Sequence, residues 1–148
     1  MSKFFCRFLG VIILVASLNS LATAATEESD LASLAELIHD FTEGVDRQSG
    51  AALERAFYPD GVVYGFTADG ESIITLGAEQ FAALHEEKRF GGQHREVAIA
   101  GLSVTDGLLA SASVDAFNDE VFYNYRITFI KLDSTWKILT ATQRSRSN

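Results

Sequence analysis

From His94 to Thr142 the chain is a series of β-type runs with almost nothing between them. The runs are His94 to Val104, Leu108 to Phe117, Val121 to Leu132 and Trp136 to Thr142. They are joined by Thr105-Asp106-Gly107, Asn118-Asp119-Glu120 and Asp133-Ser134-Thr135. Parallel neighbours need a crossover of a dozen or more residues, so connections this short permit only an antiparallel meander. The upstream half must then supply what covers one face of that sheet. Leu31, Leu34, Ile38, Phe41 and Val45 recur in steps of three and four, which predicts an amphipathic helix over residues 29–45. A second helix fits Gly50 to Phe57 behind the cap candidate Ser49, and Pro59 stops it. Tyr58-Pro59-Asp60-Gly61 reads as a turn into the run Val62 to Thr67. Asp69-Gly70 reads as a hairpin turn into Ser72 to Leu76, and a third helix follows from Ala78 to about Lys88. The order is an α+β arrangement with helices packed on one face of a curved, mostly antiparallel sheet.

The first 24 residues have a different character. Lys3 and Arg7 precede the apolar run Phe8 to Ala16, and small residues close with Ala22-Thr23-Ala24-Ala25, the three zones of a secretory signal. The apolar stretch is about half the ~20 residues that span a bilayer. Residues 1–24 are therefore expected to be a cleaved signal peptide. Residues 25–148 are expected to be one domain, exported to the periplasm or the medium and free of the membrane after cleavage. The only cysteine, Cys6, leaves with the signal, so disulfides, thiolate nucleophiles and cysteine metal sites are excluded for the mature chain. The net charge of −8 falls to about −10 once Lys3 and Arg7 are lost, which disfavours nucleic acid as a partner.

No phosphate loop, dinucleotide-binding turn or serine elbow occurs, so no cofactor is expected. His85-Glu86 lacks the second histidine of a zinc helix, so no metal site is expected either. His85 is the titratable residue of most interest because it shares a helix face with Phe81 and Leu84 and so can look into the fold; the alternative is a histidine at the core margin bonded to a backbone carbonyl. His39 lies off the apolar stripe and is expected in solvent, and His94 opens a strand without special signal.

Three local words then carry a resemblance over the whole chain after the signal. They are Phe41-Thr42-Glu43-Gly44, then Ala56-Phe57-Tyr58-Pro59-Asp60-Gly61, then the run from Phe129 through Asp133-Ser134-Thr135-Trp136-Lys137-Ile138. In this order they resemble the nuclear transport factor 2-like (NTF2-like, SnoaL-like) superfamily, the cone fold shared with ketosteroid isomerase and scytalone dehydratase. Within it they look most like the branch called putative lumazine-binding, in which Gly usually stands where this chain has Ser134. The resemblance implies a cone, with helices on the concave face of the sheet and a ligand cavity between them. It places Phe41 and Gly65 where the isomerase has its tyrosine and its carboxylate base. Neither can move a proton, so that mechanism does not transfer and the catalytic residues are unknown.

The same resemblance implies that, on the run Val121 to Leu132, the face with Asn124, Arg126 and Thr128 points inward. Asn124, Arg126 and Thr128, with His85 and Tyr64, become candidate ligand contacts, and Arg126 is alternatively a partner for Asp115. Tyr123, Tyr125 and Phe129 would then face outward and support a homodimer through the sheet. The expected function is binding of a small, partly apolar molecule in the cone without catalysis. One alternative is a dehydratase or isomerase using His85 with Arg126 or a tyrosine such as Tyr64. The other is a protein-interaction module working through its sheet, which a cavity well below ~300 Å³ would favour.

Overall fold

A computed structural model of the chain describes the backbone of residues 5–67 and 69–147 and the side chains of residues 24–67 and 69–147. The elements are α1 (Phe5–Asp46), α2 (Gly50–Ala56), β1 (Phe57–Phe66), β2 (Ile73–Gly77), α3 (Ala78–Glu86), β3 (Glu96–Thr105), β4 (Leu109–Phe117), β5 (Val121–Leu132) and β6 (Thr135–Ser147). The expected helix over residues 29–45 is thus the last part of a longer one. The expected signal, residues 1–24, falls almost wholly outside the residues whose side chains are described. Among the described residues no helix is long and apolar enough to cross a membrane.

The strands form one curved six-stranded sheet in the order β2-β1-β6-β5-β4-β3. Every pairing is antiparallel except β1 with β6. The meander expected from the short turns is therefore present, and the β1–β2 hairpin joins its β6 edge. Ser49 caps α2, its Oγ accepting from the Ala52 N–H at 3.3 Å. That bond satisfies one of the helix's free amide donors.

The expected turn at Tyr58 to Gly61 is instead a bulge inside β1. Pairing with β6 jumps from Phe57↔Ile138 to Val62↔Thr140, so the intervening residues loop out without reversing the chain. Pro59 has no N–H to place in a ladder and suits a bulge. Gly61 is required by close approach, since a Cβ there would lie 2.8 Å from the Tyr58 carbonyl and 3.1 Å from that of Ile138.

The core lies between the helices and one sheet face. Leu34, Ile38, Phe41 and Val45 of α1 and Phe81 and Ala82 of α3 meet Val63, Ala112, Val114, Ile127 and Ala141 from the strands. Each fully buried large side chain contributes about 1.5–3 kcal/mol relative to exposure. Phe41 is the hub: its ring sits edge-on to Phe57 at 5.8 Å and to Tyr125 at 5.6 Å, and stacks on Phe81 at 6.4 Å. At the other end, buried Asp30 accepts from Lys131 Nζ at 2.6 Å and from Trp136 Nε1 at 3.1 Å, which ties α1 to the β5–β6 end of the sheet.

The inward face of β5 is the reverse of the expected one. Tyr125, Ile127 and Phe129 are buried, while Arg126 and Thr128 are exposed. Alternation along β5 separates two faces but does not say which one the helices cover, because both carry bulk. The adjoining strand does say. On β4, Ala110, Ala112, Val114 and Ala116 alternate with Ser111, Ser113 and Asp115, and the register sets Val114 opposite Tyr125 and Ser113 opposite Arg126. The small buried alanines let α1 and the aromatic rings settle onto that face.

Candidate functional site

Between the helices and the sheet, a cavity of about 110 Å³ is lined by Val45, Phe81, His85, Phe90, Gly91, Tyr123, Tyr125 and Gln143. Each wall has a local origin. α3 presents Phe81 and His85 one turn apart, as i and i+4 residues do. Their rings lie 4.3 Å apart. β5 contributes Tyr123 and Tyr125 from alternate positions, with rings stacked at 6.1 Å. β6 brings Gln143 opposite Tyr125, and β1 brings Gly65 opposite Gln143. Between α3 and β3, Phe90 and Gly91 form the rim. The rim is held by Gln48 Nε2 donating to the Phe90 carbonyl at 2.8 Å and by the Gly92 N–H donating to the Val45 carbonyl at 3.2 Å. Gly91 has φ +71, and a Cβ there would sit 2.1 Å from the Val45 oxygen. Only glycine fits that approach.

His85 is buried, and its Nδ1 lies 2.8 Å from the Phe81 carbonyl. A carbonyl only accepts, so Nδ1 carries the proton and Nε2 keeps a lone pair. Burial holds the imidazole below its ordinary pKa; the Phe81 bond works against that shift, and the charge of Arg95 adds to it. Arg95 is buried behind Tyr125. Its Nη1 donates to Tyr125 Oη at 2.8 Å, its Nε to Asp46 Oδ1 at 2.6 Å, and its backbone N–H to Asp46 Oδ2 at 3.1 Å. The guanidinium also covers the Tyr123 ring at 4.9 Å. Burial opposes its charge, but the Tyr125 hydroxyl and the Asp46 carboxylate more than offset that and hold its pKa above the usual arginine value. Burial raises the Tyr125 pKa, so the phenol stays protonated.

Of the five candidate contacts, only His85 reaches this cavity. Tyr64, Arg126 and Thr128 lie across the sheet from it, on the outer face. Tyr64 pairs with Thr142, and Thr142 with Arg126, in one outer row. Thr128 Oγ1 shares a hydrogen bond with Thr140 at 2.6 Å, and Asn124 Nδ2 donates to Asp115 Oδ1 at 2.6 Å. Asp115 therefore pairs with Asn124 rather than Arg126. The pairing of His85 with Arg126 or Tyr64 in an enzyme site is ruled out, because the sheet separates them. Tyr123, Tyr125 and Phe129 line the interior instead of an outer dimer surface. Arg95 and Gln143 were not singled out from sequence; the alternation on β4, carried across the register to Tyr125 and on to Gln143, is the signal that finds the latter.

His39 is exposed, as expected. With Asp40 and Glu43 it forms the one group among the described residues whose ligand atoms could meet around a metal, within 4.8 Å of one another. Glu43 is already paired with Arg47 at 2.6 Å and the group faces solvent, so it makes no built site.

Residues 29–143 match the sequence profile of the family described as "Putative lumazine-binding". Among solved structures, the chain is similar to an NTF-2 like protein of unknown function from Silicibacter pomeroyi DSS-3. That match has 20% identity, covers 82% of this chain and 98% of that one, and has a TM-score of 0.67. An NTF2-like protein of unknown function from Shewanella baltica OS155 has 15% identity over 81% and 96% of the two chains, with a TM-score of 0.71. A ketosteroid isomerase-like protein from Erwinia carotovora atroseptica SCRI1043 has 15% identity over 80% and 98%, with a TM-score of 0.65. These likenesses give the fold. No curated protein matches the chain.

Proposed function

Because the chain belongs to the putative lumazine-binding family and has the NTF2-like cone, we propose that it is an exported protein that binds a compact, partly apolar molecule in that cone without turning it over. The observation that carries this reading is the cavity wall itself. Aromatic rings make most of it, His85, Tyr123, Tyr125 and Gln143 supply polar tips, and no Asp, Glu, Lys or Arg lines it. That mix of apolar surface with a few convergent polar groups is how small-molecule sites are built. Non-catalytic binding is supported by Phe41 and Gly65, which stand where the resemblance puts the isomerase's tyrosine and carboxylate and cannot move a proton. Export is supported by the three-zone pattern of residues 1–24.

Native mass spectrometry of the protein purified from its own host tests these points together. The expected result is a polypeptide mass beginning near Ala25 with a constant small-molecule adduct. A chain starting at Met1 removes export. A protein without adduct that also fails to bind any ring compound in solution removes the binding reading.

The cavity volume favours a second reading, since about 110 Å³ is well below the ~300 Å³ usual for ligand sites. Here the cone is simply filled core, and the sheet's outer face works, as a homodimer surface or toward another protein. That face is rich in hydroxyls, with Ser103, Ser111, Thr128 and Thr140 in one row and exposed Arg126 beside them. Light scattering across dilution would report a dimer, and Arg126→Glu should weaken it; a monomer at all concentrations sinks the homodimer form of this reading.

A further inference from the structure

The outer face of the sheet carries three exposed arginines in a chain whose net charge is −8, Arg126 on β5 and Arg144 and Arg146 on β6. The strand register fixes their arrangement. Arg126 stands opposite Thr142, Arg144 opposite Asn124 and Arg146 opposite Phe122, so the three make one diagonal track. Residues two apart on a strand are about 6.5–7 Å apart, and the diagonal from Arg126 to Arg144 is about 7–8 Å. The fold does not neutralise this track. None of the three arginines takes part in an ion pair among the described residues. Asp115, which shares a row with Arg144 through Asn124, already accepts from that asparagine at 2.6 Å. Glu96 is separated from Arg146 by Phe122 and Phe117.

Two further observations show the track ready for an anionic partner. The Arg146 guanidinium lies over the Phe122 ring at 4.4 Å, and that ring stacks on Phe117 at 6.3 Å. A guanidinium held on a ring face keeps N–H donors at its edge, and being held already it loses less freedom on meeting a carboxylate. Beside Arg126 the outer face dips into a depression of about 470 Å³ whose lining includes Gly101, Ser103, Ser111, Ser113 and Thr128, and Arg126 is the only charged residue lining it. We infer that the track docks an extended acidic segment of another protein, with Asp or Glu at every second position. Alternate side chains of a strand point the same way with a repeat of about 6.5–7 Å, so successive carboxylates meet Arg146, Arg144 and Arg126 in turn. The acidic remainder of the molecule repels such a segment and leaves it this one place. The inference rests on the reading in which the outer face works, and the sheet separates it from whatever the cone holds.

Fluorescence anisotropy of the purified protein with a labelled peptide of alternating Glu and Thr tests this at about 50 mM salt, where exposed charges are weakly screened. The comparators are a peptide of alternating Gln and Thr and one of the same composition as the probe with its glutamates in a single block. The alternating Glu peptide is expected to bind, with the Gln peptide weaker by about tenfold or more and the block peptide by about threefold or more. Arg144→Glu combined with Arg146→Glu should weaken the probe by about tenfold or more, the worth of two exposed charge pairs. Lys88→Glu, at an exposed lysine beyond α3, should leave it unchanged. All three positions are exposed, so circular dichroism should match the wild type. No binding of the Glu peptide, equal binding of either comparator, or an equal loss in Lys88→Glu would overturn the inference. Light scattering across dilution separates it from the broader reading. A dimer that the double arginine variant dissociates and the peptide does not displace gives the track to a second copy, which overturns the acidic-segment inference and upholds a working outer face.

Discussion

Ser134 stands at φ +64 beside Asp133 at φ +47, the two residues of the turn between β5 and β6. Two positive φ values in a two-residue hairpin describe the turn type that favours Asp-Gly, and a side chain in the left-handed region costs about 1–2 kcal/mol. Serine at this place carries strain that glycine would not. Glycine also loses more entropy on folding, so Ser134→Gly is expected to stabilise by about 0.5–1 kcal/mol. Urea unfolding should show a higher midpoint with unchanged slope; a lower midpoint would mean the turn is not strained as described. This position was legible in advance as a departure from the Asp-Gly ending, whereas its strain became visible only with the backbone angles. Arg95 shows the opposite case. Nothing about an arginine between His94 and Glu96 marks it out in sequence, and its importance comes from Asp46, 49 residues earlier, and Tyr125, 30 residues later, closing around it.

At the scale of elements, α1 is the piece whose docking creates the cone. Its apolar stripe was plain from spacing, and Leu34, Ile38, Phe41 and Val45 are all buried. Phe41 touches rings from α3, β1 and β5, so Phe41→Ala removes the contact that gathers three elements. The expected cost is about 3–5 kcal/mol, measured by urea or thermal unfolding, and loss of the His85 environment should accompany it in the imidazole NMR signals. A cost below about 1 kcal/mol would show that the hub repacks. The β5 strand marks the limit of element-level reading. Its sequence pattern marks its bounds, Val121 to Leu132, yet does not say which face is inward, because Tyr123, Tyr125 and Phe129 on one side and Phe122 and Ile130 on the other look alike by hydropathy. The neighbouring β4, with alanines and valine against serines and aspartate, resolves that ambiguity.

For the whole molecule, two groups set how stability responds to acid. The hydrogen bond from Lys131 is the largest cause holding Asp30 below the ordinary carboxylate value, burial opposes it, and the Trp136 bond adds to it. A depressed carboxylate stabilises above the unfolded value of about 3.9, and that stability is lost as pH falls through the folded value. His85 is also depressed, by burial first. Between the unfolded histidine value of about 6.5 and its lower folded value, the unfolded chain binds the extra proton, so stability again drops as pH falls. Urea midpoints should therefore decline in two stages, from about pH 7 downward and again below about pH 4. Asp30→Asn should lower the midpoint at neutral pH and flatten the second stage alone. A wild-type profile flat from pH 7 to 5 would contradict the buried neutral His85.

The sequence alone determined the class of fold: short turns admit only antiparallel neighbours, and steps of three and four build one apolar helix stripe, both being local rules of chain geometry. It also placed His85 on the apolar face of its helix, because a residue four positions from Phe81 shares that face. Which sheet face the helices cover, how Asp46 and Arg95 close behind Tyr125, and how little space remains inside were decided only by the tertiary structure. Those properties depend on contacts between residues tens of positions apart, and the side-chain period of two along a strand is silent about which of its two faces meets the helices.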